Sequence, residues 1–246
     1  MRFLSFFRRE KTRPFDAPLD VPAPVAVIGD IHGCDQLLAQ LLDQIAQADP
    51  TGIQIVCVGD YIDRGDGSAA VINLLLDRPD IICLKGNHEA MCLRFLDNPD
   101  KHGASWLQYG GLQTLASYGV AGPAADGTRP FQRVRDDLAL AMGTRRITWM
   151  QDLAISWRSG NLLVTHAGAD PARGPDDQRP QDMIWGCAAF DDTTRTDGLW
   201  VAHGHVIQDR PTAQGGRIAV DTGAYATGRL TAAILGNGPP HFRMTG

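Results

Sequence analysis

Five apolar runs in this chain each stop at a short polar block, and that repeated pattern limits the fold more than any other feature. Val25 to Ile28 runs into Gly29-Asp30-Ile31-His32-Gly33, Ile53 to Val58 into Gly59-Asp60, and Ile81 to Leu84 reaches Gly86-Asn87-His88-Glu89. Asn161 to Thr165 ends at His166-Ala167-Gly168, and Leu199 to Ala202 at His203-Gly204-His205. A run of this length broken by glycine reads as a buried strand entering a tight loop. Leu37, Leu38, Leu41, Leu42 and Ile45 follow the first block at helical spacing, and a second helix is expected from Ser68 to about Asp77. Strand, loop and helix in repetition predict an α/β fold. Open sheets gather ligand sites at the carboxyl ends of their strands, so loops spread over about 180 residues can converge on one crevice. Arg217 to Val220 and Leu230 to Leu235 read as two further strands.

The pattern loosens between Asn98 and about Trp149, where Trp106, Leu107, Leu112, Leu115 and Tyr118 suggest short helices and Gly119 to Pro130 is rich in Gly, Ala and Pro. This stretch, about 98–150, reads as a small helical cap inserted in one core. With 246 residues, 43% of them hydrophobic, the chain fits a single catalytic domain over 25–246. Residues 1–24 are expected to form an extended arm, with Pro14, Pro18, Pro22 and Pro24 along it. Phe3, Leu4, Phe6 and Phe7 precede Arg8 and Arg9, but that stretch is too short for a signal-peptide core. No run reaches the length of a membrane span, so a soluble, cytoplasmic protein is expected. The five cysteines contain no C-x-x-C pair and read as free, mostly buried thiols. A formal net charge of -5 offers no basic field for a nucleic-acid backbone, which disfavours general nucleic-acid binding and leaves small phosphorylated partners open.

The polar blocks supply what a two-metal hydrolytic site needs: a carboxylate able to bridge, flanking oxygen and imidazole ligands, and room for water. Asp30 and His32 can reach one ion, Asp60 can bridge, and Asn87, His166 and His205 can complete a second site.

Gly29-Asp30-Ile31-His32-Gly33, Gly59-Asp60-Tyr61-Ile62-Asp63-Arg64-Gly65 and Gly86-Asn87-His88-Glu89 resemble the three signature blocks of the PPP phosphoprotein phosphatases. The likeness continues through Gly110 to Leu115, Ser117-Tyr118-Gly119, Thr165-His166-Ala167-Gly168, His203-Gly204-His205 and Asp221-Thr222-Gly223-Ala224, roughly residues 25 to 235. It is greatest for the compact bacterial and phage branch of that family. The resemblance implies a calcineurin-like metallophosphoesterase fold, a central mixed β-sandwich flanked by helices. It further implies that Asp30 and His32 bind the first metal, Asp60 bridges, and Asn87, His166 and His205 bind the second. Arg64, with Asn87, would hold the substrate phosphate. His88, hydrogen-bonded to Asp63, would protonate the leaving alkoxide while a hydroxide between the metals attacks in line. Physical chemistry agrees: the arginine fork matches phosphate, and an Asp partner raises the pKa of an imidazole so that it holds its proton near neutral pH. Manganese is the leading metal, with iron, zinc or magnesium acceptable to the same donors.

Phosphoserine or phosphothreonine in proteins is the leading substrate class. The rivals are a symmetrical dinucleoside tetraphosphatase, which shares the signature blocks, and a phospholigand-binding module without turnover. One feature departs from the family: many members carry a second phosphate-binding arginine after an apolar-Trp segment, whereas Met183-Ile184-Trp185 is followed here by Gly186, Cys187, Ala188 and Ala189. Arg173, Arg179 or Arg195 would have to fold back to replace it. Glu89 reads as a helix-entry carboxylate and not as part of H-E-x-x-H, because Cys92 stands where the second histidine would be. Tyr61 and Ile62 are expected to pack beneath their loop, Asp221 to orient a histidine or a turn, and His203 to play a supporting part. Trp106 and Tyr109 read as the cap's small core, with a substrate groove the alternative. His102 and His241 are expected in loop or tail, solvated, as are Asp176, Asp177, Asp191 and Asp192.

Overall fold

The computed structural model describes residues 15–49, 52–236 and 238–246. Phe3 to Phe7, Arg8, Arg9 and Pro14 lie outside them.

The first three apolar runs become strands β1 (Val25–Ile28), β2 (Gln54–Cys57) and β3 (Ile82–Cys83), each followed by a helix: α1 (Asp35–Ala48), α2 (Ser68–Leu76) and α3 (Asn87–Asp97). These strands pair in parallel, with Ile28 opposite Cys57 and Cys57 opposite Cys83. After α3 come α4 (Pro99–Trp106), a wide turn over Leu107–Gly111, α5 (Leu112–Ser117) and α6 (Phe131–Asp152). Strands β4 (Ser156–Ser159), β5 (Leu162–Thr165), β6 (Trp200–His203), β7 (Thr212–Gln214) and β8 (Arg217–Ala219) make a second sheet, with short α7 (Pro180–Trp185) and α8 (Ala188–Asp192) between β5 and β6. Helix α9 (Ala224–Thr227) then leads to β9 (Thr231–Gly236) and β10 (Gly238–Met244), which return to the first sheet.

The sheet orders are β10-β9-β1-β2-β3 and β4-β5-β6-β8-β7. In each, three parallel strands sit beside antiparallel ones: β9 and β10 in the first, β4 and β7 in the second. The two sheets face each other through Val25, Val27, Val56 and Val58 on one side and Leu162, Val164, Ala202 and Ile218 on the other. The alternate residues of β1, Ala26 and Ile28, turn to the other face and pack with Leu38 and Leu41 of α1 and Val71 of α2. β1 therefore has no polar position: both of its faces are covered, which is why it reads as a continuous apolar run. Trp106, Leu115, Val134, Leu138 and Met142 of the helices after α3 belong to that same helical layer of core.

Residues 15–24 run without regular structure across the second sheet. Phe15 meets Trp200 edge-on at 5.1 Å, Trp200 Nε1 donates to Ala17 O at 3.0 Å, and Asn161 exchanges hydrogen bonds with Pro18 and Asp20. All five cysteines are free; Cys57 and Cys92 are buried and the other three half-buried. Among the described residues no helix is long and apolar enough to cross a membrane. His241 is exposed as expected but lies on β10, not in a tail, and His102 lies half-buried on α4, where it lines a cavity, not in a solvated loop.

His203 ends β6 with its ring edge-on to Phe190 at 4.9 Å and its Nδ1 3.0 Å from Gly204 O. Burial pushes its pKa down to about 4, so the fold favours the neutral ring. Because the folded value lies below the unfolded one, this contribution is complete above about pH 6.5 and is lost as pH falls towards 4. The loss amounts to about 3 kcal/mol for a shift of this size. A His203→Phe variant should therefore show a shallower fall in denaturant midpoint between pH 7 and pH 4 than the wild type, as urea unfolding followed by circular dichroism will reveal.

Candidate metal and phosphate site

The loops leaving β1, β2, β3, β5 and β6 meet at one end of the sandwich because their backbones are tied to each other. His32 N and Ile31 N both donate to Asp60 O, at 2.8 and 3.1 Å, Gly33 N donates to Tyr61 O at 2.9 Å, and Gly204 N donates to His166 O at 2.8 Å. The Glu89 carboxylate accepts from Asp60 N (2.9 Å), Tyr61 N (2.8 Å) and Gly86 N (3.0 Å). Glu89 is thus the helix-entry carboxylate expected, and it also clamps the β2 loop to the β3 loop. The loops approach so closely that a Cβ on Gly59 would lie 2.5 Å from Gly86 N. A Cβ on Gly204 would collide with the Asp30 carboxylate.

Five non-glycine residues have left-handed backbones among the described residues: His32 (φ 45°), Asp60 (53°), Asp63 (70°), Arg64 (68°) and His205 (67°). Every one is a residue that the sequence marks for chemistry. Such conformations cost about 1–3 kcal/mol each and persist where surrounding contacts enforce them.

Asp60 occupies the centre. Its Oδ2 is 3.5 Å from His32 Nε2 and 3.9 Å from His88 Nε2, while its Oδ1 is 3.5 Å from His166 Nε2. Asn87 Oδ1 lies 2.8 Å from His166 Nε2 and 3.0 Å from His205 Nδ1. Two donor sets result, each compact enough for one ion: His32, Asp60 and His88, and Asp60, His166 and His205. Asp30 lies in the same crevice, but both its oxygens accept from His205 N, at 3.1 and 3.0 Å, and it joins neither set. His88 Nε2 is within reach of the first set, while its Nδ1 is committed to Asp63 Oδ2 at 2.7 Å. The buried His32 Nε2 and His88 Nε2 have no hydrogen-bond partner. Carboxylate, amide and imidazole donors, with unpartnered nitrogens among them, are what hard and borderline divalent ions accept.

Burial raises the pKa of Asp30 and Asp60 and lowers those of His32 and His166. For Asp30 the neighbouring Asp221 and Asp60 charges add to the rise. Asp221 also accepts from Gly223 N at 2.8 Å, the turn role expected of it.

Asp63 is fully buried and accepts from three side chains: His88 Nδ1 (2.7 Å), Trp106 Nε1 (2.9 Å) and Thr114 Oγ1 (2.6 Å). Burial pushes His88 down to about 3 and Asp63 up to about 7, whereas sequence alone counts only their mutual attraction, which would raise His88. The two directions describe one shared proton, which the pair keeps to near pH 7 whichever atom carries it.

Arg64 is held through its backbone N to Gly110 O at 3.2 Å, and its guanidinium lies 5.0 Å from the Tyr225 ring. Tyr225 also meets His32 edge-on at 5.3 Å. A cavity of about 470 Å³ opens from Arg64, Asn87 and His205 outward to Trp185 and Tyr109. Trp106 is both core and cavity wall: it stacks on Phe95 at 4.7 Å and donates to Asp63.

The family described as Calcineurin-like phosphoesterase matches residues 23–209. The chain is a calcineurin-like metallophosphoesterase. Two Salmonella typhimurium relatives resemble this phosphoesterase over nearly their whole length. Serine/threonine-protein phosphatase 2 is 37% identical, the match covering 90% of this chain and 97% of the relative. Serine/threonine-protein phosphatase 1 is 38% identical over 86% of this chain and 91% of the relative. Among solved structures, that of a candidate diadenosine tetraphosphatase shares the fold with a TM-score of 0.64 and 23% identity, covering 92% of this chain and 96% of that one.

Trp106, Thr114 and Tyr225 surround the phosphoesterase's site without having been assigned to it from sequence. Thr114 lies inside the glycine-rich block at 110–115 and Tyr225 one residue beyond the block at 221–224, so the blocks pointed near them. Thr114→Val removes the donor to the buried Asp63 Oδ1 and one of the two acceptors of Asp63 N, Ser68 Oγ being the other, which should cost about 1–3 kcal/mol. The same change should lower kcat for p-nitrophenyl phosphate about tenfold with little change in KM, readable in steady-state kinetics. Manganese should raise the thermal midpoint in a concentration-dependent way, by the equivalent of about 2.7 kcal/mol at a hundred times its Kd. Calorimetry of Asp60→Asn should show most of that gain lost.

Proposed function

We propose that this phosphoesterase hydrolyses phosphoserine and phosphothreonine monoesters in proteins with two divalent ions bound. The observation that carries the reading is Asp60, whose two oxygens face different histidines, set beside Arg64 and the Asp63–His88 pair in one crevice.

Asp30, His32 and Asp60 would hold one ion and Asp60, Asn87, His166 and His205 the other, with manganese favoured and iron, zinc or magnesium acceptable. When bound, the ions lower the pKa of coordinated water and neutralise charge developing on the phosphoryl oxygens. Arg64 presents its fork to the phosphoryl group, and the Tyr225 ring beneath the guanidinium limits the directions it can take. Asn87 lines the same wall and would contact substrate as well as metal. Asp63 fixes the His88 ring at Nδ1, so the unpartnered Nε2 faces the crevice. An Nε2–H there would protonate the leaving alkoxide of serine or threonine, a poor leaving group that needs it. Trp106 and Thr114 keep Asp63 from turning away.

The protein substrate is supported by relatives named as serine/threonine phosphatases at 37% and 38% identity. The rival is a dinucleoside tetraphosphatase, the activity named for the solved neighbour at 23% identity. Both reactions would use the same ligands, and they differ in what fills the outer cavity.

The manganese-loaded protein should cleave a phosphothreonine peptide faster than diadenosine tetraphosphate in a side-by-side assay. His88→Asn should lower kcat on the peptide by about 10²- to 10⁴-fold. Faster cleavage of the dinucleotide would overturn the substrate class, full activity in His88→Asn would overturn the proton donor, and no turnover of any phosphoester would leave a binding module.

A further inference from the structure

None of the arginines considered from sequence replaces the one missing after Trp185. Arg173 pairs with Asp170, Arg179 with Asp182, and Arg195 is buried against Asp197 and the carbonyls of Asp170 and Arg173. The cavity nevertheless holds a second guanidinium, supplied from another element. Arg94 lies on α3 seven residues after Asn87, with Met91 between, so the three share a helix face, and all three line the cavity. Seven residues of helix rise about 10 Å, which places Arg94 two turns outward from the metal-binding end.

Arg94 is held by stacking: its guanidinium lies 5.1 Å from the centre of the Trp185 ring, the residue after which the family arginine is missing. Among the described residues its side chain forms no ion pair and no hydrogen bond. A guanidinium over an aromatic face keeps its N–H edge free for a carboxylate or phosphate fork. The cavity lining contains Arg64, Arg94 and His102, and no Asp or Glu. A chain of net charge -5 therefore presents a cavity wall with cationic groups at both ends.

We propose that Arg94 is a specificity-determining residue that binds a second oxyanion of the substrate, separate from the phosphoryl group that is cut. This rests on the phosphoprotein reading for its source: an Asp or Glu side chain two or three residues from the phosphorylated one. An extended peptide covers about 10 Å in three residues, the distance that separates Arg94 from Asn87 along α3. In a dinucleoside polyphosphate a distal phosphate would be the equivalent group.

The test uses the manganese-loaded full chain and its Arg94→Ala and Arg94→Glu variants. The substrates are p-nitrophenyl phosphate, diadenosine tetraphosphate, and phosphothreonine peptides with Asp, Ala or Lys at the second and third positions on either side. The wild type should prefer the Asp peptide to the Ala peptide about five- to tenfold in kcat/KM, mainly through KM. Arg94→Ala should remove that preference and lose far less on p-nitrophenyl phosphate than on the Asp peptide. Arg94→Glu should shift the preference to the Lys peptide. A wild type indifferent to flanking charge, a preference that survives Arg94→Ala, or an equal loss on every substrate would overturn the proposal. If diadenosine tetraphosphate outruns all the peptides, the phosphoprotein reading fails and Arg94 is judged on that substrate. A loss there well beyond that on p-nitrophenyl phosphate supports the second-oxyanion site, and equal losses overturn it.

Discussion

The Glu89 carboxylate, buried and receiving backbone N–H groups from Asp60, Tyr61 and Gly86, clamps together the loops that leave the paired strands β2 and β3. It is the third residue of α3, so the clamp also fixes the start of that helix, and with it Asn87, His88 and, two turns on, Arg94. Burial raises its pKa to about 7, and the backbone N–H groups that donate to it hold that rise in check. Removing it would leave those N–H groups buried without acceptors. Asp60 would then lose the N–H contact that holds its left-handed backbone. The strain stored in His32, Asp60, Asp63, Arg64 and His205 is thus offset by loop-to-loop hydrogen bonds and not by local preference.

These ties work because the sandwich beneath them is rigid. β1, β2, β5 and β6 carry almost only apolar residues and leave the polar chemistry to the residues just past their carboxyl ends. The sheets meet through valine and leucine side chains, which brings loops separated by more than a hundred residues to one rim. Short polar strands are then affordable only at the margins, and β4, β7 and β10 are all edge strands.

That distribution explains what could be read from the residues. A strand buried on both faces is a continuous apolar run, and the glycine-bounded block after it is conspicuous, so β1, β2, β5, β6 and the nine proposed site residues were legible. Edge strands such as Ser156–Ser159 and Thr212–Gln214 bury one face at most and look like loop. His241 was therefore read as tail although it pairs opposite Ile234. Trp106 and Thr114 were harder for another reason: their role is to satisfy a buried carboxylate from a helix that precedes and follows a turn, a contact spanning some 43 and 51 residues. Arg94 carried no local signal, since an arginine late in a helix is ordinary until its helix and Trp185 are seen to share a cavity. The lowering of His88 itself could not be read from sequence, where attraction to Asp63 is visible and burial is not.

Burial also gives the crevice its appetite for cations. It lowers the pKa of His32, His166 and His205, which keeps the imidazoles neutral with lone pairs available. It raises Asp30, whose charged form is also costly beside Asp221 and Asp60, and Asp60, whose charged form is also costly beside Glu89 and Asp63. A divalent ion reverses that cost, because the same low-polarity surroundings that penalise a lone carboxylate strengthen its attraction to a metal. Binding there would release protons from the carboxylates, so occupancy and pH are linked through Asp30 and Asp60. With metals bound, the negative charge of the centre would be cancelled, and the cavity lined by Arg64 and Arg94 would be free to attract the anionic groups of a substrate.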